Sequence, residues 1–277
     1  MKKSSIATIS LFSTNETPHT QLPGRTTVTP PGMRLGLLGG TFNPIHRCHL
    51  TIAGVARDAM QLDRILFVPT GDPPHKEHHA LAPAVHREVM VRLALEGHPS
   101  FAVSDIELRR TGKSYSIDTV RALLEVYGPG TQLFLILGLD AFVDLPSWKE
   151  PALLLRSCHV VVLSRPAVAF SRLATLALIP QVPREALDAL DAGKRDRFDY
   201  PIVDGVRLTL LRVSPCEVSA SDIRRRIQEH RSVANLLPPS VESYIIQHGL
   251  YVEDSDRTGI QGEGSRDCRG DSRQEGH

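Results

Sequence analysis

Short apolar segments alternate with helical patterns through the middle of the chain. The apolar segments are rich in Val, Ile and Leu and lack polar alternation, which is typical of strands in a parallel sheet covered on both faces. They are RLGLLGG from Arg34, RILFVP from Arg64, FAVSDIEL from Phe101, QLFLIL from Gln132, HVVVLSRP from His159 and VRLTLLRV from Val206. Helices are predicted between them at about 47–60, 84–97 and 117–127. This alternation predicts one α/β domain with a doubly wound parallel sheet.

The two ends of the chain lack this periodicity. Residues 1–32 are rich in Ser, Thr and Pro, and residues 253–277 have almost nothing to bury. We therefore predict a flexible N-terminal extension, a domain at 33–252 and a disordered polar tail. The first residues imitate a secretion signal, but their apolar core is short and broken by Ser and Thr, so we expect a cytoplasmic protein. No apolar run approaches the ~20 residues that a membrane-spanning helix needs, so we expect no membrane partner.

Charge and cysteine content narrow the class of protein. The 32 Lys and Arg against 31 Asp and Glu leave a formal charge of +1, which argues against nucleic acid as a partner. The four cysteines contain no CxxC pair, so we predict reduced thiols rather than a disulfide framework or a zinc site. They are Cys48, Cys158, Cys216 and Cys268.

The segment GGTFNPIHRCHL, from Gly39, directly follows the first predicted strand. Glycines let the backbone approach a phosphate closely, and the free amides at the start of the next helix bind anions. His46 and His49 are three residues apart, so at a helix start they share a face with Cβ atoms roughly 5–6 Å apart. A His pair alone is compatible with surface histidines or a metal pair. The strand, glycine turn and helix start together favour a phosphate site.

A second motif, VSASDIR, lies at the predicted start of a late helix. Ser219 and Ser221 are good N-cap residues, and Asp222 suits the first turn of a helix. Capping alone explains the serines. It leaves the basic run that begins at Arg224 unexplained, although such a run is usually a solvated helix face.

Both motifs resemble the signatures GGTF(D/N)PxHxGH and IS(A/S)(S/T)xIR of a nucleotidyltransferase superfamily that includes class I aminoacyl-tRNA synthetases. The resemblance implies a Rossmann-like sheet and catalytic roles for His46, His49 and Arg224. Cys48 occupies the place of a glycine, so we expect adjusted or weakened ATP binding. The ATP contacts that the resemblance implies are Gly39, Gly40, Thr41, Phe42, Cys48, Gly138, Asp140, Ser219, Ser221 and Ile223.

Three further segments resemble bacterial nicotinate mononucleotide adenylyltransferases. They are PPHK from Pro73, ELRRTGKSYS from Glu107, and LGLD with LPSWK from Leu137 and Leu145. The resemblance implies that Trp148 stacks on a pyridine ring, although the only tryptophan could equally fill the core. The mononucleotide contacts that the resemblance implies are Asn43, His75, Lys76, Ser116, Trp148 and Arg165.

The implied reaction joins the adenylyl group of ATP to nicotinate mononucleotide and releases pyrophosphate, with Mg²⁺ carried by the substrate. Three alternatives stay open. They are another small-molecule nucleotidyltransferase, a nucleotide-binding sensor with catalysis impaired by Cys48, and a metal site at His75, His78 and His79. The sequence leaves the choice of nicotinate or nicotinamide open and is compatible with a homo-oligomer.

Overall fold

The computed structural model describes residues 32–73, 81–203 and 205–252. The predicted N-terminal extension and polar tail lie outside these residues, apart from Gly32. The same holds for His75 and Lys76 of the PPHK segment and for the proposed metal histidines. Within the described ranges, no helix combines the length and the apolar character needed to cross a bilayer.

Seven strands form one sheet in the order β3-β2-β1-β4-β5-β7-β6. All neighbours pair in parallel except β6 and β7. This confirms the predicted doubly wound α/β class. The strands are β1 Arg34–Gly40, β2 Arg64–Pro69, β3 Phe101–Val103, β4 Gln132–Gly138, β5 His159–Leu163, β6 Arg197–Val203 and β7 Val206–Leu211.

Helices cover both faces of the sheet, and each face buries its own apolar cluster. One cluster includes residues of α3, α5 and α6, and the other includes residues of α1, α2, α7 and α8. The helices are α1 Arg47–Met60, α2 Ala84–Leu95, α3 Ser116–Tyr127, α4 Leu139–Val143, α5 Pro151–Ser157, α6 Arg184–Asp191, α7 Ala220–Gln228 and α8 Pro239–Gln247.

Strand β6 corrects the expectation of a purely parallel sheet. It pairs antiparallel with β7 at the sheet edge. All of its residues are exposed or half-buried, and it lacks the continuous apolar run of the other strands. The Asp204-Gly205 dipeptide between the two strands is a typical hairpin sequence, and it was the local signal for this pairing. The third strand is also shorter than predicted, since it ends at Val103.

Candidate active site

A cavity of about 470 Å³ opens at the carboxyl ends of β1, β4 and β5. Strand β1 lies between β2 and β4, so the strand order reverses here, and open α/β sheets bind ligands at such a point. The cavity therefore lies where the fold favours a ligand. Its lining includes these predicted site residues: Gly39, Gly40, Thr41, Phe42, Asn43, His49, Ser116, Gly138, Asp140, Trp148 and Arg165.

The two motif histidines lie side by side at the start of α1. His46 is the extended residue that precedes the helix, and its backbone N–H donates to His49 Nδ1 at 3.2 Å. The centroids of the two imidazole rings are 3.8 Å apart. His49 lines the cavity and packs edge-on against the ring of Phe42. The predicted imidazole pair is therefore present, with His49 as its cavity-facing member.

His46 is the buried member of the pair, with only 6% of its surface exposed. Burial, together with the positive charge of Arg165, lowers the pKa of His46 to about 4. The ring is therefore neutral near pH 7. A neutral imidazole can stabilise phosphate oxygens only through a hydrogen bond, so positive charge at this site has to come from other residues.

Protonation of His46 should make the protein less stable in mild acid. An unfolded histidine titrates near 6.5, whereas the folded ring titrates near 4. The stabilising contribution of the neutral His46 ring is complete above about pH 6.5. It falls as the pH drops toward 4, because the unfolded chain then binds a proton that the folded chain does not bind. The loss amounts to about 2–3 kcal/mol. Chemical denaturation between pH 8 and pH 4 measures it.

The matched variant for this measurement is His46→Asn, which keeps a polar side chain without a titrating group. Its free energy of unfolding should fall less over the same pH range. Parallel pH profiles for the wild type and the variant would contradict the assignment of the acid sensitivity to His46.

Arg224 of the second motif contacts the loop of the first motif. Its Nη1 donates to the backbone carbonyl of Asn43 at 2.9 Å, across 181 residues of sequence. The side-chain Oδ1 of Asn43 accepts from the Tyr251 hydroxyl at 2.9 Å and from the Ala82 N–H at 3.0 Å. The guanidinium therefore lies beside the glycine-rich loop that leads to His46. Asn43, predicted as a substrate contact, also holds this loop together.

The start of α7 carries the rest of the second motif. Ser219 is its N-cap, and its hydroxyl accepts from the backbone N–H of Asp222 at 3.1 Å. Ser219 and Ser221 are exposed, while Ala220 between them lines the cavity. The side chain of Ile223 is fully buried and packs in the core. Its predicted ATP contact stays a prediction.

Two of the predicted mononucleotide residues, Ser116 and Trp148, also line the cavity. Ser116 begins α3, and Trp148 is half-buried with part of its surface on the cavity. This placement departs from the alternative that the tryptophan merely fills the core. Lys149 Nζ pairs with Asp118 at 2.9 Å and lies 4.9 Å from the ring centroid of Tyr115. One cation of the cavity lining therefore lies beside an aromatic ring of the same lining.

Gly138 ends β4 where Asp140 and Arg165 come together. Arg165 Nε lies 3.3 Å from Asp140 Oδ1. A Cβ atom at Gly138 would collide with that carboxylate and would lie 2.6 Å from Arg165 Nε. Glycine therefore leaves room for the Asp140–Arg165 pair, and a larger residue here would displace these side chains.

Sequence reasoning missed Arg87, which braces the loops around the cavity. Only 2% of Arg87 is exposed, and burial lowers its pKa. Its guanidinium donates to the carbonyls of Thr41 at 2.9 Å, Thr70 at 2.7 Å and Gly71 at 3.3 Å, and its Nε donates to Ala82 at 3.0 Å. The only signal in the sequence was an arginine on an otherwise apolar helix face.

A buried polar group beside α3 was also missed. Glu107 and Thr119 both line the cavity, and the Thr119 hydroxyl donates to Glu107 Oε1 at 2.7 Å. Arg110 Nη1 donates to the same hydroxyl oxygen at 3.2 Å. Burial raises the pKa of the Glu107 carboxyl. The ELRRTGKSYS segment contains these groups, but only the fold turns Glu107 toward the cavity.

Two of the four cysteines depart from the prediction of reduced thiols. Cys48 and Cys216 form a disulfide, with their Cα atoms 5.8 Å apart. Cys48 is 3% exposed and is not part of the cavity lining, in contrast to its predicted ATP contact. The pairing spans 168 residues, so no local spacing predicts it. Cys158 is a buried free thiol, and burial raises its pKa to about 12.

Comparison with known proteins agrees with this geometry. The model of the family described as "Cytidylyltransferase-like" matches residues 37–226. The chain therefore belongs to this family of nucleotidyltransferases. The match runs from β1 into α7 and so includes both motifs.

Curated relatives show to which group within this family the chain belongs. The chain is 42% identical over 222 residues to a Geobacter metallireducens protein named "Probable nicotinate-nucleotide adenylyltransferase", covering 80% of this chain and 100% of the relative. A Moorella thermoacetica protein of the same name is 39% identical, covering 81% of this chain and 94% of the relative. The chain is thus a member of the nicotinate-nucleotide adenylyltransferase group.

Solved structures share the fold. A Plasmodium falciparum nicotinic acid mononucleotide adenylyltransferase, solved in complex with NaAD, matches with a TM-score of 0.58 at 17% identity. The match covers 79% of this chain and 97% of that one. At this identity the likeness establishes the fold alone.

Proposed function

We propose that the protein transfers the adenylyl group of ATP to nicotinate mononucleotide, giving nicotinate adenine dinucleotide and pyrophosphate in NAD biosynthesis. The observation that carries this proposal is one cavity whose lining combines the glycine-rich loop and His49 with Ser116 and Trp148. Arg224 hydrogen-bonds to that loop. The residues implied for ATP and those implied for the mononucleotide therefore share one cavity, as transfer between two nucleotides requires.

The chemistry needs positioning and charge stabilisation more than covalent help from the protein. An oxygen of the mononucleotide phosphate attacks the α-phosphorus of ATP, and the bond between that phosphorus and the bridging α–β oxygen breaks. The electron pair leaves with pyrophosphate. His49 stabilises the charge that develops on the transferred phosphate, and Arg224 moves from its carbonyl partner to the β and γ phosphates.

In this proposal ATP enters as its Mg²⁺ complex, so the ion is part of the substrate. The described residues contain no group of three or more His, Cys, Asp or Glu that could hold a metal ion. Asp140 offers one exposed carboxylate at the cavity. Such a site suits an ion that takes most of its ligands from phosphates and water. The compartment proposed for this reaction is the cytoplasm.

Product analysis tests the proposed function. The full chain is incubated with ATP, Mg²⁺ and either nicotinate or nicotinamide mononucleotide, and the products are separated by chromatography while pyrophosphate is assayed. We expect the dinucleotide and pyrophosphate to form in equal amounts, with nicotinate mononucleotide preferred. Binding of ATP without pyrophosphate release would instead support a nucleotide-binding sensor.

Replacing Trp148 with alanine should weaken mononucleotide binding selectively. Aromatic stacking is worth about 0.5–1.5 kcal/mol beyond burial, so KM for nicotinate mononucleotide should rise about two- to tenfold. KM for ATP should stay near its wild-type value. Because Trp148 is the only tryptophan, quenching of its fluorescence by the mononucleotide alone provides a second readout. An equal rise in both KM values would place Trp148 in general packing instead.

A further inference from the structure

A covalent link joins the two nucleotide-binding motifs of this chain. Cys48 lies in the first turn of α1, between His46 and His49, and Cys216 lies three residues before the α7 N-cap Ser219. Their Cα separation of 5.8 Å falls within the range of about 4.4–6.8 Å that disulfides require. The backbone therefore accommodates the bond without rearrangement.

The two cysteines differ from the other thiol of the described domain. Cys216 is half-buried, and Cys48 lies in the first turn of α1 with its sulfur bonded to that of Cys216. Cys158 is enclosed in the core, and its pKa is raised. Only the Cys48–Cys216 pair combines bonding geometry with a route to solvent. In reducing compartments, disulfides that do form are usually transient and redox-sensing.

We propose that Cys48 and Cys216 are a redox modification site that controls ATP affinity, an inference that rests on the proposed function. On oxidation, the two thiols lose two protons and two electrons to a peroxide. Hydrogen peroxide is then reduced to two molecules of water, and an organic hydroperoxide is reduced to an alcohol and water. Reduction reverses the change by thiol–disulfide exchange with a dithiol, which leaves as its own disulfide. The ligand whose affinity changes is a nucleoside triphosphate.

The position of the Cys48–Cys216 disulfide indicates that oxidation should lower the affinity for ATP. In the proposed reaction the ATP phosphates lie between His49 on α1 and Arg224 on α7. The disulfide fixes the segment before α7 against the first turn of α1, while Arg224 stays on the Asn43 carbonyl. The oxidised protein therefore resists the separation that admits a triphosphate. Ser116 and Trp148 lie on elements that the bond does not tie, so mononucleotide binding should not change.

The experiment compares oxidised and reduced protein in a Cys268→Ser background, because Cys268 lies outside the described residues. Protein treated with hydrogen peroxide is mapped by peptide mass spectrometry, and KM is measured for each substrate before and after dithiothreitol. We expect a Cys48–Cys216 cross-linked peptide and a KM for ATP at least about fivefold higher in the oxidised form. KM for the mononucleotide should be equal in both forms.

Cys216→Ser is the matched control, because it leaves Cys48 in place and removes only the bond. Its KM for ATP should equal that of reduced wild type and should not respond to peroxide. Absence of the cross-link, an unchanged or lower KM for ATP on oxidation, or the same peroxide response in the control would overturn the proposal. Calorimetric ATP binding needs no turnover, so an inactive protein whose ATP affinity still changes with oxidation would refute the proposed function alone.

Discussion

Replacing His49 with alanine should lower kcat by about 10²–10³-fold. Removal of a single preorganised donor to developing charge typically costs this much. His49 lines the cavity at the start of α1, where its Nδ1 accepts the His46 backbone N–H and its ring packs against Phe42 and His46. Its loss should therefore remove stabilisation of the transition state while the fold persists. Steady-state kinetics of the adenylyl transfer, with circular dichroism to check folding, measures the effect.

His98→Ala is the control for this substitution. His98 is exposed and lies outside the cavity lining, so its removal should leave kcat unchanged. A folded His49→Ala protein that turns over at the wild-type rate would refute the catalytic assignment.

Replacing Arg224 with alanine should lower kcat/KM for ATP by about 10³-fold. An arginine that stabilises charge on transferring phosphates is worth about this much or more. The guanidinium lies at the glycine-rich loop, where its Nη1 donates to the Asn43 carbonyl at 2.9 Å. Arg224→Lys should recover only part of the loss, because an ammonium group lacks the bidentate geometry of a guanidinium. Initial rates at varied ATP concentration measure both variants.

Arg225 provides the matched control on the same helix. It is exposed and pairs with Asp222 on the outer surface of α7. Arg225→Ala removes the same charge one residue away, so it should change kcat/KM for ATP less than about threefold, as expected for an exposed ion pair. Equal losses in the two variants would point to general electrostatic attraction rather than a phosphate contact by Arg224.

The local sequence pattern was sufficient to predict the strands and helices that carry the site. The continuous apolar run of β1, the two glycines after it and the His-x-x-His helix start are all encoded within a few residues. The predicted bounds of β1 and α1 match the structure for this reason. Strand β6 escaped prediction because an edge strand buries only part of each face, and its residues therefore lack a continuous apolar signal.

Some site residues could likewise be predicted from local sequence motifs, and others could not. The motifs singled out His49, Gly138 and Trp148, and the fold brings these residues to one cavity. Arg87 and Glu107 could not be assigned, because their roles depend on which carbonyls and hydroxyls surround them after folding. The depressed pKa of His46 has the same origin, since desolvation exists only in the packed state.

The sequence by itself determined the α/β class, the order of most elements and the two motifs, because hydrophobic period and turn chemistry are local properties of a chain. Only the tertiary structure decided that Arg224 reaches the Asn43 loop and that Cys48 bonds to Cys216. These contacts join residues 181 and 168 positions apart. Their partners become neighbours only when the sheet orders its strands and brings the starts of α1 and α7 to the same edge.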